Sequence, residues 1–175
     1  MILEELASEA GKLGLPFLLI GGHAVNFHGY SRFTKDVDFL INRDCLPRWS
    51  ELLKAHGYNL SQTGPTFCQF ENKDSNVPGV DLMLVNEQTF QKLFARARVE
   101  TKGSISIPLV CAEHLIALKL HVLKQDLEHR RLKDFLDVVE IVRASKINLQ
   151  SEEMRGIFAK YGTEDLYQRI KLATQ

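Results

Sequence analysis

The sequence predicts an α+β protein in which a mixed-sheet half precedes a helical C-terminal lobe. Three observations predict it. Short apolar runs at 17–20, 37–41 and 80–85 have strand length and are bounded by Gly, Pro or polar residues. Stretches with helical spacing of apolar residues lie between them. From Cys111 onward the strand-like runs cease and four helical segments follow. At 175 residues the chain can bury a full core.

Each element has a local reason. Residues 2–13 place Ile2, Leu3, Leu6 and Leu13 on one helical face, and Gly14-Leu15-Pro16 stops the helix. A buried strand over 17–20 is broken by Gly21-Gly22, and a brief helix over 24–28 ends at Gly29. Residues 37–41 form the next strand, with Asp36 and Asp38 on one face and Val37 and Phe39 on the other. A helix over 46–56 turns Trp49, Leu52 and Leu53 inward and is capped by Gly57. Strands are expected at 58–60 and 67–70, then a polar turn over 71–78. The strand over 80–85 carries Asp81 as its only charge. A helix over 88–97 precedes a short edge strand marked by Ile105 and Ile107 and ended by Pro108. Helices at 111–123, 127–143, 151–160 and 164–174 complete the chain. The expected organisation is a core over 1–110 and a helical lobe over 111–175, packed as one compact unit.

Composition narrows the function classes. Hydrophobic residues make up 45% and charged residues 25%, an ordinary globular balance. Lys plus Arg and Asp plus Glu both number 22, so the formal net charge is zero. Global charge gives no drive toward nucleic acid or membrane, and such a partner would have to be met by a local patch. Cys45, Cys68 and Cys111 are scattered and lack metal-ligand spacing, which reads as free thiols in a reducing compartment. The N-terminus is acidic and amphipathic, unlike a signal peptide, and no apolar run approaches the roughly 20 residues that cross a bilayer. A cytoplasmic location is expected.

The chemistry concentrates between residues 21 and 38. Asp36 and Asp38 stand two apart on a strand, so their side chains point the same way with Cα atoms about 7 Å apart. Carboxylates aimed together repel unless a cation or donors sit between them. Mg²⁺ suits such a pair, because it takes carboxylate oxygens, keeps several waters and completes its shell with substrate phosphates. Asp81, alone in an apolar strand, is the third carboxylate, since an unpaired charge there is costly unless it faces a groove. Three carboxylates on neighbouring strands can hold two metals that clamp a phosphoryl displacement. Gly21-Gly22 lets backbone amides approach a triphosphate closely, next to the start of a helix.

The order strand, Gly-Gly, short helix, Arg/Thr-bearing loop, Asp-x-Asp strand and later Asp strand resembles the polymerase-β-type nucleotidyltransferase superfamily. The form Gly21-Gly22-His23-Ala24, His28-Gly29 and Arg32-x-Thr34-x-Asp36-Val37-Asp38 is most similar to minimal nucleotidyltransferases that include AbiEii-type toxins. The resemblance covers most of residues 17–140 and implies a nucleotidyltransferase-fold mixed sheet flanked by helices, followed by helices. It implies that Gly21 and Gly22 hold nucleotide phosphates and that Asp36, Asp38 and Asp81 bind Mg²⁺, with Mn²⁺ as a substitute. The family's Lys and Lys-Asp-x-x-Asp segments are matched by Lys119 and by Lys133-Asp134-Phe135-Leu136-Asp137. Gly22 departs from the pattern, because many relatives have Ser there and one hydroxyl contact to phosphate is absent.

The implied activity is transfer of an NMP from an NTP to a hydroxyl on RNA, a protein or a small molecule, including a toxin role opposite an antitoxin. Two rivals use the same residues: a non-catalytic nucleotide- or protein-binding module, and a metal-dependent phosphodiesterase. Arg32 and Thr34 either contact phosphate or tie the loop to the acidic strand. Lys119 and Lys133 either reach the triphosphate or acceptor, or belong to a solvated helix face with the pairs Arg130–Asp134 and Lys133–Asp137. His23 and His28 read as packing or hydrogen-bonding residues.

Overall fold

The central strands and most helices lie where the apolar runs put them, while the sheet edges and the start of the short helix at Gly21, expected at Ala24, differ. The structure is a computed structural model that describes residues 1–124 and 128–175, with the side chains of 128–131 outside the description. In chain order the elements are α1 (Ile2–Lys12), β1 (Leu18–Leu19), α2 (Gly21–Phe27), β2 (Val37–Asn42), a 3₁₀ turn (Arg43–Cys45) and α3 (Leu46–Ala55). Then come β3 (Tyr58–Thr63), β4 (Phe67–Asn72), β5 (Val80–Val85), α4 (Glu87–Phe94), β6 (Arg98–Lys102) and β7 (Ile105–Leu109). The helices α5 (Ala112–Lys124), α6 (Glu128–Ala144), α7 (Glu152–Tyr161) and α8 (Glu164–Ala173) follow. The expected helix start at Leu127 lies outside the described residues. Among the described residues no helix is long and apolar enough to cross a membrane.

The strands form one mixed sheet in the order β3-β4-β5-β2-β1-β7-β6. β2 is central, antiparallel to β1 and parallel to β5. Its apolar residues are covered on both sides, and Val37, Phe39, Leu40 and Ile41 are at most 1% exposed. Phe17, Phe39 and Trp49 form an aromatic cluster that ties α3 to the sheet, with ring centroids 5.0–5.8 Å apart. Edge-to-face contacts of this kind add to the burial of the rings themselves. Trp49, Leu52 and Leu53 point inward as the spacing predicts.

The far edge differs from the expectation. β7 is flanked by β1 and β6 and is not an edge, and Pro108 lies inside it opposite Val99 instead of ending it. The edge strand is β6, Arg-Val-Glu-Thr-Lys, whose exposed residues give no apolar run to read. The helix expected over 88–97 stops at Phe94 because the chain must turn into β6. At the other edge β3 runs on to Thr63, polar and exposed, with a register shift between Leu60 and Gln62. A polar, bulged edge resists pairing with another chain.

By its internal contacts the chain divides into two units: residues 1–24 with 32–110, and residues 25–31 with 111–175. The first holds the sheet, α1, α3 and α4. In the second, Ser151 and Thr163 cap α7 and α8 by accepting from Met154 N at 3.3 Å and Leu166 N at 3.2 Å. Phe158 and Tyr167 pack edge to face at 5.2 Å, and Arg155 stacks over Tyr167. Lys119 of α5 is buried and donates to Asp134 Oδ1 at 2.8 Å, and its ammonium stands 2.6 Å from Asp137 Oδ2.

Candidate active site

Pairing of β1 with β2, in the register Leu19↔Phe39, brings the glycine turn beside the acidic strand. The contact continues past the strand end, where Ile20 N–H donates to Asp38 O at 3.0 Å. Gly21 has φ +64°, the left-handed region in which a side chain is strained. A Cβ on it would stand 2.6 Å from Asp38 Cβ and closer still to the Asp38 carboxylate. Glycine at 21 is therefore required twice, by its backbone and by the acid that lies against it. Two motifs that are weak apart in sequence are one contact in space.

Gly22 has a similar neighbour. A Cβ there would stand 2.7 Å from Thr34 Cβ, nearer still to Thr34 Oγ1, and 3.1 Å from Arg32 Nη1. Along residues 31–35 exposure alternates: Arg32 and Thr34 are half-buried, and Ser31, Phe33 and Lys35 are exposed. Arg32 Nη1 also donates to Phe33 O at 3.1 Å. The loop thus presents a hydroxyl and a guanidinium to the glycine turn.

The parallel ladder between β2 and β5 pairs Asp38 with Asp81 directly. Paired residues on neighbouring strands share a face and stand about 4.8 Å apart. On the other side of Asp81, β4 supplies its register partner Gln69. Gln69 Nε2 donates to both carboxylate oxygens of Asp81, each at 3.2 Å. Gln69, Asp81 and Asp38 therefore form a row across three strands. Asp36 sits one residue before β2, exposed, and its Oδ1 accepts from Gly79 N–H at 3.1 Å. Asp36 thereby helps tie the starts of β2 and β5 together, beside the bond from Val37 N–H to Gly79 O.

Among the described residues no group of three or more His, Cys, Asp or Glu side chains is gathered so as to hold a metal ion, so Asp36, Asp38 and Asp81 do not form the three-carboxylate cluster that the sequence leads one to expect. His23, half-buried, is held below its ordinary value of 6.5, first by burial and then by the charges of Arg32 and Lys102. Its imidazole is neutral at pH 7. Gln69 is the residue that sequence reasoning missed. A glutamine in an ordinary polar position carries no signal until strand register sets it beside Asp81.

The remaining candidates lie in the helical unit. Lys119 has its ammonium between Asp134 and Asp137, with only 8% of its side chain exposed. Lys133 is exposed on α6. Of the basic segment 128–134, the side chains of 128–131, including Arg130 of the expected Arg130–Asp134 pair, lie outside the described residues.

The family described as "Uncharacterised nucleotidyltransferase" matches residues 2–173. Among curated proteins no sequence matches the chain. Among solved structures, the chain is similar to an antigenic nucleotidyltransferase-like protein from Paracoccidioides brasiliensis, with TM-score 0.63 and 19% identity over 99% of this chain and 90% of that one. It is also similar to ANT(2")-Ia in complex with adenylyl-2"-tobramycin, with TM-score 0.66 and 12% identity over 92% and 97% of the two chains. A third is the lincomycin-bound lincosamide antibiotic adenylyltransferase LnuA, with TM-score 0.59 and 16% identity over 79% and 93%. At these identities the likeness shows the fold: a mixed α+β sheet with helices and a helical C-terminal region.

Proposed function

This chain belongs to the family of uncharacterised nucleotidyltransferases, and from that premise we propose that it transfers an NMP from an NTP to a hydroxyl acceptor. The observation that carries the reading is the Asp38 carboxylate lying against Gly21 with Asp81 beside it in register. That arrangement supports reading the glycine turn as the phosphate side and the acidic row as the cation side of one site.

In the reaction the acceptor oxygen attacks the α-phosphorus, the bond from that phosphorus to the α–β bridging oxygen breaks, and pyrophosphate leaves. Gly21 and Gly22 let the backbone approach the β- and γ-phosphates, with Arg32 and Thr34 as donors beside them. Asp36, Asp38 and Asp81 are the carboxylates that would hold Mg²⁺, or Mn²⁺ in its place. The chemistry of the pair Asp38 and Asp81, in register on neighbouring strands, suits Mg²⁺: carboxylate oxygens are hard ligands, and Mg²⁺ bound by few protein groups fills its shell with substrate phosphates and water. The bound ion would supply neutralisation of charge on the transferring phosphoryl group. Asp81 accepts the proton of the attacking hydroxyl, and Gln69 fixes the plane of its carboxylate. Lys119 and Lys133 enter the reading less directly, since the ammonium of Lys119 is satisfied within the helical unit and that of Lys133 is exposed.

For the acceptor, one neighbour in fold, ANT(2")-Ia, is in complex with adenylyl-2"-tobramycin, another is the lincomycin-bound lincosamide antibiotic adenylyltransferase LnuA, and the zero net charge gives no general attraction for RNA. Both favour a small hydroxylated molecule over RNA or protein. A toxin role opposite an antitoxin is the form this chemistry takes when the acceptor is a macromolecule of the host cell.

The test is incubation with α-phosphate-labelled NTPs, Mg²⁺ and a cell lysate. The wild type is expected to label an acceptor. The double variant Asp36→Asn with Asp38→Asn is expected to label none while keeping the wild-type circular dichroism. Unchanged labelling by that variant would sink the assignment, and free labelled NMP alone would replace transfer by hydrolysis.

A further inference from the structure

We propose that Thr34 supplies the hydroxyl of the phosphate site that Gly22 lacks, and that Gly22 is glycine because Thr34 occupies its side-chain space. The inference deepens the nucleotidyltransferase reading and rests on it.

A Cβ on Gly22 would stand 2.7 Å from Thr34 Cβ and nearer still to Thr34 Oγ1, closer than real Cβ atoms approach other heavy atoms. Gly22 has no positive φ to account for glycine there, unlike Gly21. Steric exclusion by Thr34 is a demand on position 22 that glycine meets. Residues 22 and 34 therefore compete for one side-chain place, and the loop residue fills it.

Chemistry follows from what fills it. The hydroxyl of Thr34 points at the glycine turn, and Arg32 Nη1 stands 3.1 Å from the same point. A neutral donor and a cation thus converge beside the buried Gly22, next to the half-buried Gly21. Oxygens of a terminal phosphate are the ligand class such a corner takes, because they accept from a hydroxyl, a guanidinium and a backbone N–H together. Arg32 and Thr34 stand on the half-buried side of an alternating segment, and Phe33 and Lys35 face solvent. The loop is thereby built to aim those two side chains and not their neighbours. His23, neutral at pH 7, leaves the positive charge of this corner to Arg32.

The experiment is calorimetry of the full chain with a non-hydrolysable NTP and Mg²⁺, and in parallel with the corresponding NMP. Thr34→Val keeps the shape and removes the hydroxyl. It is expected to weaken NTP binding about tenfold, as loss of a hydrogen bond to a charged group does, and to leave NMP binding within about twofold. Thr34→Ser is expected to restore NTP binding to within about threefold of wild type. Gly22→Ser is expected to weaken NTP binding by the collision with Thr34. Adding Thr34→Gly to it, which empties the place and returns a hydroxyl from position 22, is expected to recover most of the loss; that non-additivity reports the shared space. Equal NTP affinity of wild type and Thr34→Val overturns the inference while leaving the nucleotidyltransferase reading intact. A loss that Thr34→Val shows equally for NTP and NMP also overturns it, as a general structural effect. A wild type that binds no NTP overturns both.

Discussion

Close contacts give individual residues in this molecule more than one duty, and His23 shows how that becomes measurable. Burial and the charges of Arg32 and Lys102 hold its imidazole below 6.5 in the folded protein. Between that depressed value and 6.5 the unfolded chain binds more protons than the folded one, so stability rises with pH across the window. The contribution is complete above 6.5 and is lost as pH falls through the folded value. His23→Gln removes the titration, so wild type is expected to lose more stability than the variant between about pH 7.5 and pH 5, measured by urea midpoints. Parallel losses in the two proteins would remove His23 from the account. At this scale the candidate residues were legible from the order of Gly-Gly, Asp-x-Asp and a later Asp, each motif being weak alone. The contacts were not: nothing in the order of residues says that Thr34 fills the space over Gly22, or that Gln69 reaches Asp81.

Elements were legible wherever burial is strong. β2 and β5 carry apolar runs broken only by Asp38 and Asp81 before their last residues, and α3 shows its inward face, so all three match their expected spans closely. β6 was missed because an exposed edge strand needs no apolar residues, and its absence from the reading made β7 look like the edge. The helical unit offers a sharper lesson about charge. From sequence, Lys119 is a candidate to reach the triphosphate or acceptor, and Asp134 and Asp137 pair with Arg130 and Lys133 on a solvated helix face, yet Lys119, Asp134 and Asp137 are 8%, 2% and 0% exposed in their side chains. Removing one member of such a group strands buried charge and costs about 3–5 kcal/mol, whereas exchanging the whole group for apolar residues is often neutral. Lys119→Met is therefore expected to lower unfolding free energy by about that amount in urea titrations. The triple change Lys119→Met, Asp134→Leu, Asp137→Leu is expected to recover most of it. A single variant as stable as wild type would show that the cluster does not bind α5 to α6.

At the scale of the whole molecule, fold class came from apolar spacing and the family from the order of motifs, while acceptor identity has no such signature. Charge still constrains it. With equal numbers of acidic and basic residues, the chain lacks the excess of cations whose counterion release makes nucleic-acid capture steeply salt-dependent. With NTP saturating, acceptor labelling is expected to change less than about threefold between 50 and 200 mM salt, against the roughly thousandfold loss expected of a large RNA footprint. The ladder between β2 and β5 has one more consequence, for how this chain can diverge. Asp38 and Asp81 are aligned by six consecutive paired residues, Val37↔Val80 through Asn42↔Val85. The intervening segment that carries α3, β3 and β4 does not set that alignment. Descendants can lengthen, shorten or redecorate the exposed β3 edge and its turn into β4 without moving the two carboxylates apart, so long as β4 keeps Gln69 beside Asp81, and that edge is where new substrate preferences can accumulate while the acidic pair stays in step.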